Sequence, residues 1–298
     1  MPEDTHKTER ALLHAIEARS RGIRLDGAEL IAGPGDDCAV VQIGNESLLI
    51  TVDQLVEGRH AEPGTPIDPI ARKAVARSIS DIAAMGGEPI WATATGLLPE
   101  GYPHADALFD AMKRWAEHWN APLIGGDIAA GPGPLALTVT VVGRMPSNAP
   151  PVLRSGATPG QSIYTSGPIG GSLASGRHLT FEPRLDAGRA ARELGATAMI
   201  DLSDGLGIDA DRLARASGVR LLIEAESVPM HPDAGPWRHA FADGEDYELL
   251  VCAPERPSGF SGPIGRVESG PPGAVILDEH GNEHAAERLG WDHADRSR

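Results

Sequence analysis

Leu12, Leu13 and Ile16 recur at helical spacing among charged residues over residues 8–19, which predicts an amphipathic helix at the start of the chain. The turn Gly33-Pro34-Gly35-Asp36-Asp37 leads into an apolar run over 38–43, and Asn45 separates it from a second run over 48–52, so a hairpin is expected. Residues 71–85 form a long periodic stretch closed by Gly86-Gly87, the pattern of a helix with a glycine stop. A strand over 90–97, a helix over 105–119, a short buried run at Leu123-Ile124 and a strand over 135–142 complete the first half. Between Met145 and Pro151 the chain turns to Pro, Ser and Asn, which marks a linker and places two domains at 1–147 and 148–298.

The second half predicts a strand over 162–165, a glycine-rich loop from Gly167 to Gly171 and a helix over 187–194. A strand over 198–200 then runs into Asp201, followed by Ser203-Asp204-Gly205, a helix ending near Ala216, and strands over 221–224 and 274–277. Helices and strands mix in both halves, so the fold class is α/β or α+β. A length of 298 residues fits two domains, and 41% hydrophobic against 23% charged residues is the balance of a folded protein, too apolar for disorder.

A formal net charge of −16 repels nucleic acid and anionic lipid, so neither is an expected partner. The two cysteines, Cys38 and Cys252, sit far apart in apolar stretches, as buried thiols in a reducing compartment do. No signal-peptide core or apolar run of roughly 20 residues occurs, so a cytoplasmic location is expected.

Acids cluster at structural junctions: Asp37 beside glycines, Asp53 at the end of an apolar strand, Asp81 in a helix, Asp127 after two glycines, and Asp201 and Asp204 around a strand end. Several carboxylates share one site only if cations neutralise them, and magnesium does so together with substrate phosphates. Taken singly, each aspartate is equally a helix cap or a turn residue. No P-loop occurs, because no Gly is followed by Lys. Backbone amides at Gly125-Gly126 and at the loop from Gly167 to Gly171 are candidate phosphate cradles. His280-Gly281-Asn282-Glu283-His284 spells a zinc pattern that needs a helix, but Gly281 and Asn282 read as a hairpin tip.

The segments Gly35-Asp36-Asp37-Cys38-Ala39, Val52-Asp53-Gln54-Leu55-Val56-Glu57-Gly58-Arg59-His60, Ser80-Asp81-Ile82-Ala83-Ala84-Met85-Gly86 and Gly125-Gly126-Asp127 stand in this order. Arg154-Ser155-Gly156-Ala157, Ile200-Asp201-Leu202-Ser203-Asp204-Gly205-Leu206 and Asp243-Gly244-Glu245-Asp246-Tyr247-Glu248-Leu249 follow. Together they resemble the thiamine-monophosphate kinase family, which belongs with aminoimidazole ribonucleotide synthase, selenophosphate synthase and hydrogenase maturation proteins.

The resemblance implies the two-domain fold of that superfamily, with an N-terminal domain that binds ATP and magnesium and dimerises through its sheet. It implies ATP-dependent phosphorylation of thiamine monophosphate to thiamine diphosphate by direct in-line transfer with several magnesium ions, in a cytoplasmic homodimer. Carried over residue by residue, Asp37, Thr51, Asp53, Asp81, Asp127, Asp201 and Asp204 are the implied magnesium ligands, with Asp53, Asp127 and Asp204 central to catalysis. Gly126, Asp127, Arg154 and Ser203 are the implied ATP contacts, and His60, Glu245 and Trp291, the last in Gly290-Trp291-Asp292-His293, the implied thiamine contacts. Arg154 suits a bidentate clamp on phosphate, and an indole face suits the thiazolium cation.

The chain departs from the family pattern at Val52, Ala61, Ser78 and Ile128, and it is short between Gly171 and Arg184, which should reshape one edge of the second domain. Two other readings stay open: a related ATP and magnesium enzyme with another small phosphate or acyl acceptor, and a non-catalytic nucleotide-binding relative.

Overall fold

The computed structural model describes residues 9–20, 22–146 and 149–291. The expected domain boundary at 147/148 and the Asp292-His293 part of the last motif lie outside the described residues. The first half comprises α1 (Glu9–Ser20), β1 (Glu29–Ala32), β2 (Ala39–Ile43), β3 (Glu46–Val56), α2 (Ile67–Ala84), β4 (Glu88–Pro99), α3 (Ala105–His118), β5 (Leu123–Gly131) and β6 (Ala136–Arg144). Its sheet runs β1-β2-β3-β6-β4-β5, antiparallel except between β4 and β5.

The second half adds β7 (Ser162–Thr165), α4 (Ser172–Ser175), α5 (Leu185–Glu193), β8 (Ala198–Asp201), α6 (Leu206–Ser217), β9 (Arg220–Glu224), α7 (Trp237–Ala240), β10 (Leu249–Ala253), β11 (Gly265–Glu268), β12 (Gly273–Leu277) and β13 (Glu283–Ala285). Its sheet order is β13-β12-β9-β11-β7-β10-β8, with β12 and β9 the parallel pair. The molecule is therefore mixed α/β with two largely antiparallel sheets. β12 and β13 pair around a turn in which Asp278 accepts the Asn282 N–H at 2.8 Å, so the His280–His284 pattern is a hairpin tip, as expected.

α2 is the centre of the fold. Pro69 lies in its first turn, where the missing N–H goes unused, so the helix starts at Ile67 rather than near 71. Gly86 at φ +68° ends it, as a left-handed glycine does. Small residues such as Ala71, Ala74, Ala76 and Ser78 let it lie fully buried against Val40, Leu49, Val139 and Val141 on the inner face of the first sheet. Its C-terminal end meets the second half at close range. A Cβ on Gly188 of α5 would fall 2.0 Å from the Ala83 carbonyl oxygen, and the Met85 carbonyl accepts the Val152 N–H at 3.1 Å.

Among the strands that differ from expectation, β10, β3 and β5 do so for reasons their surroundings give. Leu249–Ala253 is apolar at every position because β10 is buried on both faces, and such a run carries no period by which to recognise a strand. β3 continues past Val52 to Val56, which places Asp53 inside the strand rather than at its end. β5 runs straight through Gly125-Gly126-Asp127 as the edge strand beside β4, and Ile124 is 63% exposed rather than buried. A Cβ on Gly126 would collide with the Ala94 carbonyl oxygen at 1.9 Å, so glycine there serves strand packing.

The outer face of the first sheet is open. The register aligns Gln54, Thr138, Thr95 and Asp127 in one row across four strands, flanked by Val52 and Leu97, both exposed.

Candidate active site

A cavity of about 1020 Å³ lies where the end of α2, the turn before β2, β3, the β8–α6 turn and the 243–247 segment converge. Every residue carried over from the family motifs lines it except Gly126 and Asp127, so the chain's two halves contribute jointly. Those two sit on edge strand β5, exposed, with Asp127 on the outer face. Counting three strand spacings, β5 lies about 14 Å from β3.

Asp37, Asp81 and Asp201 form the innermost cluster, each offering a carboxylate oxygen within 4.8 Å of the others. Each comes from a different element. Asp37 precedes β2, Asp81 projects from α2 and Asp201 ends β8. Thr51 on β3 donates its hydroxyl to Asp81, and Ser80 donates to Asp201 at 2.6 Å. Burial, then the charges of Asp53, Asp201 and Asp37, pushes the Asp81 carboxyl well above the ordinary range. Asp201 is raised likewise, by burial first and then by Asp37.

The Asp37 Oδ2 atom is buried without a hydrogen-bond partner. A hard divalent cation would both neutralise these groups and satisfy that oxygen, so the all-oxygen donor set fits magnesium. Arg154 places its guanidinium 2.6 Å from Asp37, and its backbone N–H donates to Asp36, whose carboxyl burial raises to about 7. It is therefore seated on the cluster itself.

Asp204 pairs with Arg212 of α6 at 2.5 Å, and Asp209 accepts the N–H groups of Asp204 and Gly205 at 2.9 and 3.1 Å, fixing the turn that carries Ser203. The backbone N–H of Trp291 donates to the Asp204 carbonyl at 2.8 Å, and the residue lines the cavity. On the opposite wall, His60 Nδ1 accepts the Val56 N–H at 2.9 Å, so the neutral ring carries its proton on Nε2. Glu245 sits 2.7 Å from Lys73. Although burial acts to raise it, Lys73 and Arg77 hold its carboxyl below the usual range.

Sequence reading missed Lys73, Arg77, Ser80 and Arg212. Lys73, Arg77 and Asp81 stand at i, i+4 and i+8 on α2, one face of the helix. Charges at that spacing among alanines, valines and isoleucines were the signal available.

The loop from Gly167 to Gly171 is not a phosphate cradle. The Gly170 N–H donates to both oxygens of Asp246 at 3.0 Å, and the Gly171 N–H donates to Asp243 at 2.8 Å. Burial raises the Asp246 carboxyl to about 7. The folded state thus holds a proton that the unfolded state has lost above pH 3.8, and this contribution to stability fades as pH rises from about 4 to 7. Asp246→Asn should consequently melt a few degrees above the wild type at pH 8, with the gap closing near pH 4. Thermal melts across that range decide it, and a pH-independent gap refutes the assignment.

The short stretch after Gly171 folds against the site rather than only at the domain edge. His178 Nδ1 lies 2.9 Å from Lys73 Nζ, Ser172 donates to the Glu245 carbonyl at 2.7 Å, and Phe181 stacks on Tyr247 at 3.9 Å. Such a stack contributes about 0.5–1.5 kcal/mol beyond its buried area. Of the departures from the family pattern, Ser78 donates to the Val139 carbonyl at 2.8 Å and Ala61 is buried, whereas Val52 and Ile128 are exposed. The Val52 side chain points away from Thr51 and Asp53, so it takes no part in this chain's cluster.

Residues 35–145 match the family of AIR synthase related proteins, N-terminal domain. The chain is 36% identical over 266 residues to thiamine-monophosphate kinase of Salmonella typhimurium, covering 80% of each sequence. It is 34% identical over 312 residues to that of Mycobacterium tuberculosis, covering 93% of this chain and 89% of the relative. The solved structure named AaThiL complexed with AMPPCP and TMP superposes with a TM-score of 0.83 at 29% identity, covering 96% of this chain and 97% of that one. Motif order, converging acids and overall likeness agree, and the chain belongs to the thiamine-monophosphate kinase family.

Proposed function

We propose that the protein transfers the γ-phosphoryl group of ATP directly to thiamine monophosphate, giving thiamine diphosphate. The observation that carries this reading is the convergence of Asp37, Asp81 and Asp201, from both halves of the chain, at one end of a cavity whose other walls bear His60, Glu245 and Trp291. Asp37, Asp81, Asp201 and their neighbours Thr51, Asp53 and Asp204 would hold magnesium, which would supply charge neutralisation for the phosphates. The protein's part is alignment, since phosphoryl transfer needs little covalent chemistry from side chains. Arg154 and Ser203 face the nucleotide, and a phosphate monoester is already largely ionised near neutral pH, so no general base is required. His60 offers its Nε2–H to the acceptor, while ionised Glu245 and the Trp291 indole suit a cationic ring.

Gly126 and Asp127 enter this scheme from a second copy. Asp127 faces outward on β5, across the sheet from its own chain's cluster, and the open sheet face that carries it also exposes Val52 and Leu97. A homodimer built on that face would bring one chain's Asp127 toward its partner's cavity, with residues 1–147 as the dimerising, ATP-binding domain. No helix among the described residues is long and apolar enough to cross a membrane, and we place the enzyme in the cytoplasm.

Diphosphate formed only when ATP, magnesium and thiamine monophosphate are all present is the expected result of a direct product assay. ATP bound without diphosphate formed would transfer the same frame to another phosphate or acyl acceptor.

A further inference from the structure

Two buried cations stand on the acceptor side, Arg77 lining the cavity and Lys73 behind the lining residue Glu245, and neither was assigned a role by the motifs. Lys73 is fully buried, and the Arg77 side chain is 12% exposed. They share Glu245, with Lys73 Nζ 2.7 Å from one oxygen and Arg77 Nη1 3.6 Å from the other. Arg77 also reaches across to Asp53, at 3.2 Å. Its Nε is buried with no hydrogen-bond partner, as is the neutral hydroxyl of Tyr247, which lines the same cavity.

Arg77 therefore spans the boundary between the metal-binding acids and the acceptor wall. In the ligand-free chain its charge is balanced, because two cations face two carboxylates. With Asp53 committed to a magnesium ion, Lys73 and Arg77 would face Glu245 alone, and this wall would carry one surplus positive charge with unpaired N–H donors. A buried surplus charge is strongly unfavourable until an anion meets it. The acceptor's own phosphate is the anion that must lie at that boundary, between the nucleotide and the thiamine ring.

Resting on the kinase reading above, we propose that Arg77, with the Tyr247 hydroxyl, binds the acceptor's phosphate and makes the site select a phosphorylated acceptor over the free alcohol. The guanidinium fork matches two phosphate oxygens where an ammonium would supply only a point charge.

Calorimetric titration of the full chain, with magnesium and AMPPCP present, tests this using thiamine monophosphate and thiamine as the two probes. Arg77→Met should bind thiamine monophosphate roughly 10- to 150-fold more weakly, the effect of losing a charge-assisted hydrogen bond, while thiamine binding stays within about twofold. Arg77→Lys should recover part of the lost preference, which a merely structural role would not produce. Equal losses for both probes, or no loss for either, would overturn the role of Arg77. If Arg77→Met does not unfold cooperatively, Arg77→Lys decides alone, by a several-fold loss confined to the phosphorylated probe. A wild type that binds AMPPCP but not thiamine monophosphate would overturn the acceptor reading itself, and this role with it.

Discussion

Asp81→Asn should lower turnover by about 10³-fold or more and yet raise the melting temperature of the metal-free protein. Asp81 is a member of the innermost cluster, and replacing it removes one charge from the set proposed to hold magnesium, a loss on the scale of the largest electrostatic contributions to catalysis. Asparagine keeps an oxygen for the Thr51 hydroxyl, so the local hydrogen bond survives. Stability moves the other way because burial and three neighbouring acids raise the Asp81 carboxyl. A raised folded-state value means that the native protein binds more protons than the unfolded chain above pH 3.8, so ionising this group at neutral pH destabilises the fold. Magnesium should reverse the order, stabilising the wild type more than the variant. Product assays and paired melts in chelator and in magnesium check both halves. Turnover within tenfold of wild type would remove Asp81 from the metal site.

Asp127→Asn should also abolish most turnover, by about 10²-fold or more, with an unchanged melting temperature because the side chain is exposed at a sheet edge. Its distinguishing test is mixing. If Asp127 serves the partner's cavity while Asp81 serves its own, a heterodimer of the two single variants contains one site with both acids intact. Random exchange of subunits then restores up to about one quarter of wild-type activity. Recovery on mixing places the two acids on different chains. Absence of recovery, once subunit exchange is verified by labelled chains, would show that both act within one chain and that β5 must move to bring them together.

The acids of the candidate site were legible as a group at glycine turns and element ends, whereas Thr51, His60, Arg154, Ser203, Glu245 and Trp291 were reached only through the resemblance to the kinase family. The arrangement around those acids was less so. Asp53 lies within a strand that continues to Val56, and only the pairing of β3 with β6 shows it. Lys73 and Arg77 look like ordinary solvated charges of a surface helix until α2 is found buried on nearly every side. β10 and β11 were hidden for opposite reasons. The first is uniformly apolar, and the second is a four-residue strand with too few positions to show alternation. The role of the stretch after Gly171 depended on contacts to Lys73 and Tyr247, partners distant in sequence, which no local pattern records.

The contact between Gly188 and the Ala83 carbonyl gives the aspartate cluster a mechanical gauge. Asp81 rides on the helix at one side of that contact, and Asp201 ends a strand of the half that approaches from the other. The separation of the two acids is thus limited by a closest approach of backbones. A methyl group at position 188 would act as a wedge, driving the halves apart at a point that holds no charge and touches no substrate. The tolerance of the chemistry is in this sense written at a residue with no side chain.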